Sequence, residues 1–217
     1  MKKAERIMSG NISMFNSDNF FWSKVSYIFD LVILGLLWIF TSIPIITAGA
    51  GTTAVYYVVL RMDGKKPVKL IQDYFHSFKQ NFKQATILWL IMLCFIALFA
   101  FEISGLLRVY KTGNAFAGYL LVLSIVLCIF FMVIGIYIFP YLSRFEGGIY
   151  EIIKNAFYLS FRNLGFSILL ILIRILVLIG LYYCLNIFPF TEAMIAGLSG
   201  IFFRRIFKPY LTEQKKE

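Results

Sequence analysis

The chain has 217 residues, of which 60% are hydrophobic and 15% are charged, and its formal net charge is +10 at pH 7. A soluble globular protein carries about 25% charged residues and no apolar runs of about twenty residues. Several such runs are present here, so the composition excludes a soluble domain and predicts an all-α, polytopic membrane protein. Because the basic residues lie mostly between the apolar runs, we interpret the charge as a signal of membrane topology and expect no nucleic-acid partner.

The first apolar run, residues 25–60, is too long for a single crossing. It follows a polar and basic N-terminal segment, residues 1–24, and holds 36 residues without lysine or arginine. As one helix it would be roughly 54 Å long, whereas the bilayer core is ~30 Å thick. Basic residues flank the run on both sides, which predicts that both flanks are cytoplasmic. We therefore predict a helical hairpin that turns at Pro44, because proline cannot continue one helix and is well suited to start the next.

A stretch of small residues, TAGAGTTA at residues 47–54, follows the predicted turn. Small side chains let helix backbones approach closely, which is one way in which membrane helices associate. We interpret the stretch as a packing surface, used either within the chain or against a partner protein. The candidate contact residues of this hairpin are Pro44, Thr47, Gly49, Gly51, Thr52 and Thr53.

Two further hairpins complete the predicted topology, residues 85–142 and residues 166–207. Their apolar runs are Ala85–Leu107, Ala115–Leu142, Phe166–Asn186 and a short last helix at about Ala193–Phe207. With six crossings, 18 of the 21 basic residues lie in the cytoplasm together with both termini and the tail, residues 208–217. Five crossings would move either the four N-terminal or the five C-terminal basic residues outside. We therefore predict six transmembrane helices in the cell membrane.

The two internal loops predicted on the cytoplasmic side, residues 61–84 and 143–165, carry apolar residues at helical spacing. We predict that each loop forms an amphipathic helix that leads into a transmembrane helix. The loops share a short pattern, SFKQNF at residues 77–82 and SFRNLG at residues 160–165. This likeness indicates either an internal duplication or the common preference of interfacial helices for aromatic and basic residues.

One arginine, Arg174, lies within the predicted fifth helix. An arginine at the centre of a membrane helix costs ~2.5–3.5 kcal/mol on insertion scales, so it is expected to face protein, water or an anion. The candidate intramembrane partners are Asp30, Glu102 and Glu192. The alternative is that the side chain extends to a lipid headgroup.

Motifs that would carry catalysis or hold a cofactor are not recognisable. The three cysteines, Cys94, Cys128 and Cys184, lie within apolar runs, and His76 is the only histidine, so we expect neither a disulfide framework nor a metal site. The GAG at Gly49–Gly51 lacks the third glycine and the lysine of a phosphate-binding loop. No Ser-His-Asp set and no pair of carboxylates on one helix face is present. We therefore expect no cofactor and no enzymatic activity.

Three segments resemble the YesL-like family of bacterial integral membrane proteins. They are FNSDNFFWSKVSYIFDL, SIPIITAGAGTTAVYYV and IIKNAFYLSFRN, and together the likeness spans nearly the whole chain. The resemblance implies a protein of Gram-positive bacteria with a role beside carbohydrate import, in systems that pair an ABC importer with a solute-binding lipoprotein and often a two-component regulator. It implies no reaction.

Three hypotheses follow for the function. The first is a non-enzymatic accessory subunit, embedded in the lipid bilayer, that packs against the permease subunits of an oligosaccharide ABC importer. Its candidate contacts are the hairpin residues named above, Arg174, and Phe78, Asn81, Arg162 and Asn163 of the internal loops. The second is an independent small transporter or channel. The third is a membrane partner of a sugar-responsive two-component histidine kinase.

Overall fold

A computed structural model describes residues 25–62, 68–183 and 190–213. In these three ranges all regular secondary structure is helical, so the predicted all-α class is confirmed. The predicted cytoplasmic segment 1–24 lies outside the described residues, as does the end of the predicted tail. We number the α-helices in chain order as α1 (Val25–Ser42), α2 (Ala48–Arg61), α3 (Leu70–Lys111), α4 (Ala115–Leu142), α5 (Ile149–Arg162), α6 (Leu164–Tyr183) and α7 (Thr191–Glu213).

The chain turns between α1 and α2 at Pro44. Pro44 has an extended backbone conformation, with φ −76° and ψ 106°, and a single 3-10 turn, Ile45–Thr47, follows it. The Thr47 hydroxyl donates to the carbonyl oxygens of Thr41 and Pro44, so the side chain stabilises both ends of the turn. The two helices are thereby folded back on each other.

Helix α2 is the centre of the bundle. Eleven of its 14 residues are buried, and it packs against α1, α3, α4 and α7. The small residues of α2 permit this close packing. A Cβ atom placed on Gly49 would lie 2.6 Å from Trp89 Cβ and 2.8 Å from the Ala85 carbonyl oxygen. On the other face, a Cβ on Gly51 would lie 3.0–3.1 Å from side-chain atoms of the last turns of α1.

Helix α2 runs antiparallel to the first half of α3. Its start is beside Trp89, whose indole Nε1 donates to the Ile45 carbonyl oxygen at 2.8 Å. Its end is beside Asp73, which forms an ion pair with Arg61 at 3.3 Å. The turn between α1 and α2 is therefore level with Trp89, and α3 continues for roughly 33 Å beyond it.

Helix α3 is one unbroken helix of 42 residues, roughly 63 Å long. The amphipathic segment predicted for residues 61–84 and the span predicted from Ala85 are therefore parts of a single helix from Leu70 onward. The second half of α3 forms an antiparallel hairpin with α4. The rings of Phe95 and Phe131 lie 4.7 Å apart, and the hydroxyl of Ser124 donates to Glu102 at 2.7 Å.

The second amphipathic segment is a separate helix, α5. The chain bends by 99° between α5 and α6. Asn163 marks the bend, with φ −118° and ψ 45°, and its side-chain amide donates to the Leu159 carbonyl oxygen. Ser167, in the first turn of α6, bonds the buried hydroxyl of Tyr137 at 2.8 Å and so ties α6 to α4.

Three of the described helices, α1, α3 and α4, are long and apolar enough to cross a membrane, and the bent pair of α5 and α6 gives a possible fourth span. The apolar helix Ile45–Arg61 is shorter than a span, and 11 of the 14 residues of its α2 part are buried by neighbouring helices. The protein is thus a helical membrane protein with several apolar helices. The count of six crossings stays a prediction.

Arg204 of α7 joins that helix to the C-terminal end of α2. Its guanidinium donates to the carbonyl oxygens of Val59 at 2.9 Å and Met62 at 3.3 Å. Carbonyl groups in the last turn of a helix have no partner within the helix and carry partial negative charge, so a cation there is stabilising.

Replacing Gly49 by alanine tests the close approach of α2. We expect Gly49→Ala to lower the free energy of unfolding by about 1–3 kcal/mol, because the new methyl group meets backbone and Cβ atoms that cannot rotate away. The measurement is unfolding of the purified protein in mixed micelles by SDS titration. Gly105→Ala is the control, since a Cβ atom at Gly105 would have no described residue within 4 Å. Equal stability of the two variants would contradict the packing.

Two neighbouring arginines of α7 provide a matched pair that tests whether Arg204 stabilises the C-terminal end of α2. Arg204→Gln is expected to destabilise the protein by about 1.5–3 kcal/mol, because it removes charge-assisted hydrogen bonds to two helix-end carbonyls. Arg205→Gln, the same change at an exposed side chain, is expected to change the stability of the delipidated protein by less than about 0.5 kcal/mol. The same SDS titration measures both. An equal loss of stability in the two variants would show that Arg204 does not stabilise the end of α2.

Candidate functional site: a buried polar cluster between three helices

Arg174, which the sequence predicts to lie within the membrane, contacts a tyrosine. Arg174, on α6, hydrogen-bonds the hydroxyl of Tyr56, a fully buried residue of α2. The same hydroxyl lies 3.1 Å from Ser199 Oγ on α7. Ser199 also donates to the Ile195 carbonyl oxygen one turn earlier in its own helix. We call Arg174, Tyr56 and Ser199 the buried polar cluster.

Close packing of α7 on α2 brings these groups together. Gly200, next to Ser199, lies against Val59, and a Cβ there would be 2.7 Å from Val59 Cγ1. The ring of Tyr56 makes an edge contact with Phe203, at 5.8 Å between centroids. A helix with a larger residue at position 200 would stand farther away, beyond the reach of the Tyr56 hydroxyl.

Of the three predicted charge partners of Arg174, the structure brings one to it. Glu192, in the first turn of α7, acts electrostatically on both Arg174 and Tyr56. Glu102 instead accepts the hydrogen bond from Ser124 that joins α3 to α4. Asp30 lies on α1, where its charge acts on Tyr27.

Sequence reasoning missed Tyr56 because it searched only for carboxylates as partners of the guanidinium. The signal was present, since a tyrosine at the end of a small-residue stretch combines a close helix approach with a polar group. Its hydroxyl can accept from the guanidinium while it bonds Ser199. In a low-dielectric interior such a bond is favourable because the alternative is an unpaired polar group.

The small-residue stretch packs inside the chain. Gly49, Gly51, Thr52 and Thr53, predicted as partner contacts, are buried against α1, α3 and α4. Trp38 Nε1 donates to Thr52 Oγ1 at 3.1 Å, and Thr53 Oγ1 donates to the Gly49 carbonyl oxygen. A partner would reach these four residues only if the bundle opened.

The other candidate contacts are nearer the surface. Pro44 is exposed and Thr47 is half-buried, at the turn between α1 and α2. Phe78, on α3, is half-buried and stacks on Tyr74 at 6.4 Å between centroids. Asn81 bonds back to Ser77 within the same helix. Contact of these residues with a partner stays a prediction.

The last two candidates, Arg162 and Asn163, lie at the bend between α5 and α6. Arg162 is exposed and donates to the hydroxyls of Tyr158 and Tyr210. Asn163 is half-buried and caps α5. The structure therefore separates the predicted contacts into a buried set in α2 and surface sets on other elements.

The chemistry of the buried polar cluster is that of a hydrogen-bonded helix junction. It joins α2, α6 and α7 through one guanidinium and two hydroxyls. Within the part of the chain that the structure describes, no group of three or more histidine, cysteine, aspartate or glutamate side chains could hold a metal ion.

The comparisons with known proteins give one match. Residues 31–103 match the model of a family described as "Protein of unknown function, DUF624". The matched range covers most of α1, the turn at Pro44, all of α2 and α3 as far as Ile103. No curated protein and no solved structure matches the chain. The matched pattern therefore includes α2 and two of the four helices that pack against it.

A double-mutant cycle tests the junction. We expect Tyr56→Phe to destabilise the protein by about 1–3 kcal/mol, since it leaves the Arg174 guanidinium and the Ser199 hydroxyl with one partner fewer. Adding Arg174→Leu is expected to cost less in the Tyr56→Phe background than in the wild type, with a coupling of at least about 0.5 kcal/mol. SDS titration measures all four proteins.

The control for this cycle is Tyr119→Phe, which removes a hydroxyl from a side chain that is 76% exposed. It is expected to leave the free energy of unfolding within about 0.5 kcal/mol of the wild type. Additive effects of the two cluster substitutions would show that Arg174 and Tyr56 do not interact.

Proposed function

We propose that the protein is a non-enzymatic accessory membrane subunit that packs against the permease helices of a carbohydrate ABC importer. The link to carbohydrate import rests on the resemblance to the YesL-like family. The match of residues 31–103 to DUF624 supports that resemblance, because YesL-like proteins are DUF624 members.

The distribution of polar and apolar groups carries the packing part of the proposal. The polar groups of the buried polar cluster and of the Tyr137–Ser167 pair are bonded to one another across helices. They therefore join helices and are not presented along a path for a solute. Large apolar side chains cover the outside of α1 and of the α3–α4 hairpin, including Phe29, Phe40, Phe101, Phe116 and Val122. Such surfaces suit lipid and the helices of another membrane protein.

The turn at Pro44 is the best-placed contact surface on the described part of the chain. Ile43 and Ile45, on either side of Pro44, are each 70% exposed, although the buried residues of α2 begin at Gly49, four residues after Ile45. The buried helix α2 thus holds an exposed apolar turn in place. A contact surface that is already held in place loses less entropy on association, so this turn suits a permanent contact between subunits.

The topology that we propose has six crossings with both termini in the cytoplasm. The basic residues support it, since 18 of 21 then lie on the cytoplasmic side. This topology requires the Pro44 turn to reach the outer face. Because the turn is level with Trp89 on α3, a re-entrant hairpin that returns from within the membrane is the alternative. Both arrangements return the chain to the side from which it entered.

Cysteine labelling separates the two arrangements. In a variant with Cys94, Cys128 and Cys184 replaced by alanine, single cysteines are introduced by Ile43→Cys, Thr112→Cys or Glu146→Cys. A membrane-impermeant maleimide added to intact cells is expected to label the first two, and to label the third only after permeabilisation. Protection of Ile43→Cys in cells that label Thr112→Cys would overturn six crossings.

The functional test is purification of the tagged full chain from its native membrane in a mild detergent, after photo-crosslinking. A crosslinking residue is placed at Ile43 or Ile45 beside the turn, and at Val122 of α4 as an equally apolar control. We expect two permease subunits in near-equal amount, crosslinked from the turn positions more than from Val122.

Two other outcomes would assign a different function. Recovery of the protein alone, as a defined homo-oligomer, would contradict the accessory-subunit proposal and favour a transporter or channel. Recovery with a histidine kinase and without permease subunits would indicate a signalling partner.

A further inference from the structure

A cleft at the bend between α5 and α6 carries a second inference, independent of the proposed function. The cleft has a volume of ≈140 Å³ and lies between this bend and the last turns of α7. Its wall combines two arginines with apolar side chains. The lining residues are Arg162, Asn163, Phe166, Arg205, Ile206, Pro209 and Tyr210.

The first arginine, Arg162, is held in place by two tyrosines. Its Nη1 atom donates to the Tyr158 hydroxyl at 3.2 Å and to the Tyr210 hydroxyl at 2.9 Å. The guanidinium carbon also lies 5.8 Å from the centroid of each ring. Both bonds use the same nitrogen, so Nε and Nη2 have no hydrogen-bond partner among the described residues. The guanidinium is therefore oriented while most of its donors stay available.

The second arginine, Arg205, is exposed on α7 and lines the same cleft. Within the part of the chain that the structure describes, Arg205 forms no hydrogen bond and no ion pair. Among the described residues that line the cleft none is a carboxylate, so the two positive charges face it without a compensating negative charge from these residues. Two guanidinium groups around a small cavity suit the oxygens of a phosphate group, which they can bind with paired N–H donors.

The remaining wall is apolar and continues into the lipid-facing surface. Phe166, Ile206 and Pro209 line the cleft. Leu164 and Ile168, in the first turns of α6, are 54% and 60% exposed beside it. A soluble anion has no apolar part that could contact this wall, whereas a phospholipid carries glycerol and acyl chains directly next to its phosphate.

We propose that this cleft binds the phosphate of an anionic phospholipid. Arg162 and Arg205 donate to the phosphate oxygens, and Phe166, Ile206 and Pro209 contact the glycerol and the first part of the acyl chains. The same two arginines would also bind free inorganic phosphate, so the experiment compares phospholipid with inorganic phosphate.

The test uses the full chain, delipidated in detergent, and measures bound lipid by native mass spectrometry and thermal stability. Phosphatidylglycerol, phosphatidylcholine and inorganic phosphate are added separately. Phosphatidylglycerol is expected to bind and to raise the melting temperature, whereas phosphatidylcholine is not. Arg205→Gln is expected to weaken phosphatidylglycerol binding by roughly tenfold, as loss of a charge-assisted hydrogen bond predicts.

Two further variants make the test independent of folding defects. Arg162→Lys keeps the charge but loses the planar fork, and is expected to weaken binding less than Arg162→Gln. Arg108→Gln removes the same charge at the end of α3, away from the cleft, and is expected to bind phosphatidylglycerol like the wild type.

The outcomes separate the ligand sources. Stabilisation by inorganic phosphate that equals that by phosphatidylglycerol, and that Arg205→Gln abolishes, would identify free phosphate as the ligand. Equal phosphatidylglycerol binding by the wild type, Arg205→Gln and Arg162→Gln, without an effect of phosphate, would overturn the proposal.

Discussion

The close approach of α2 to its neighbours is the constraint on which the rest of the structure depends. At Gly49 the backbone of α2 lies so near α3 that a methyl group has no room, and at Gly51 it lies nearly as close to α1. A membrane interior offers little hydrophobic driving force between helices, so association relies on dense packing and on hydrogen bonds between helices. Small residues allow the dense packing directly. They also allow the hydrogen bonds between helices, because they bring Thr52 within reach of the Trp38 indole and Tyr56 within reach of Ser199.

The polar groups at membrane depth follow the same logic. Each one named here is bonded across helices: Arg174 to Tyr56, Glu102 to Ser124, and Tyr137 to Ser167. An unpaired polar group in hydrocarbon costs several kcal/mol, so these pairs specify which helices are neighbours. Two neighbouring arginines of α7 act differently. Arg204 completes the end of α2, whereas Arg205, one residue later, faces a cleft whose described lining residues include no carboxylate. Arg204 thus stabilises the fold, whereas Arg205 can bind a ligand.

Much of the helical layout could be predicted from local pattern. The break at Pro44, the α3–α4 hairpin and the amphipathic character of Ile149–Arg162 follow from proline chemistry, apolar length and helical spacing. The continuity of α3 could not be predicted, because an amphipathic segment and an apolar one have compatible helical propensity and nothing local marks their junction. The 99° bend at Asn163 lies close to the boundary predicted at residue 165 between the amphipathic segment and the next span, but its angle depends on tertiary contacts such as the bond between Ser167 and Tyr137.

The sequence by itself determined that this is a helical membrane protein, that its chain turns at Pro44, and that residues 47–54 serve close packing. These are properties of residue type and spacing, which act over a few turns of helix. Only the tertiary structure decided what the small residues pack against and which group holds Arg174. Contacts such as Tyr56 to Ser199 join residues 143 positions apart. Local propensity carries no information about such pairs, because they depend on how whole helices cross.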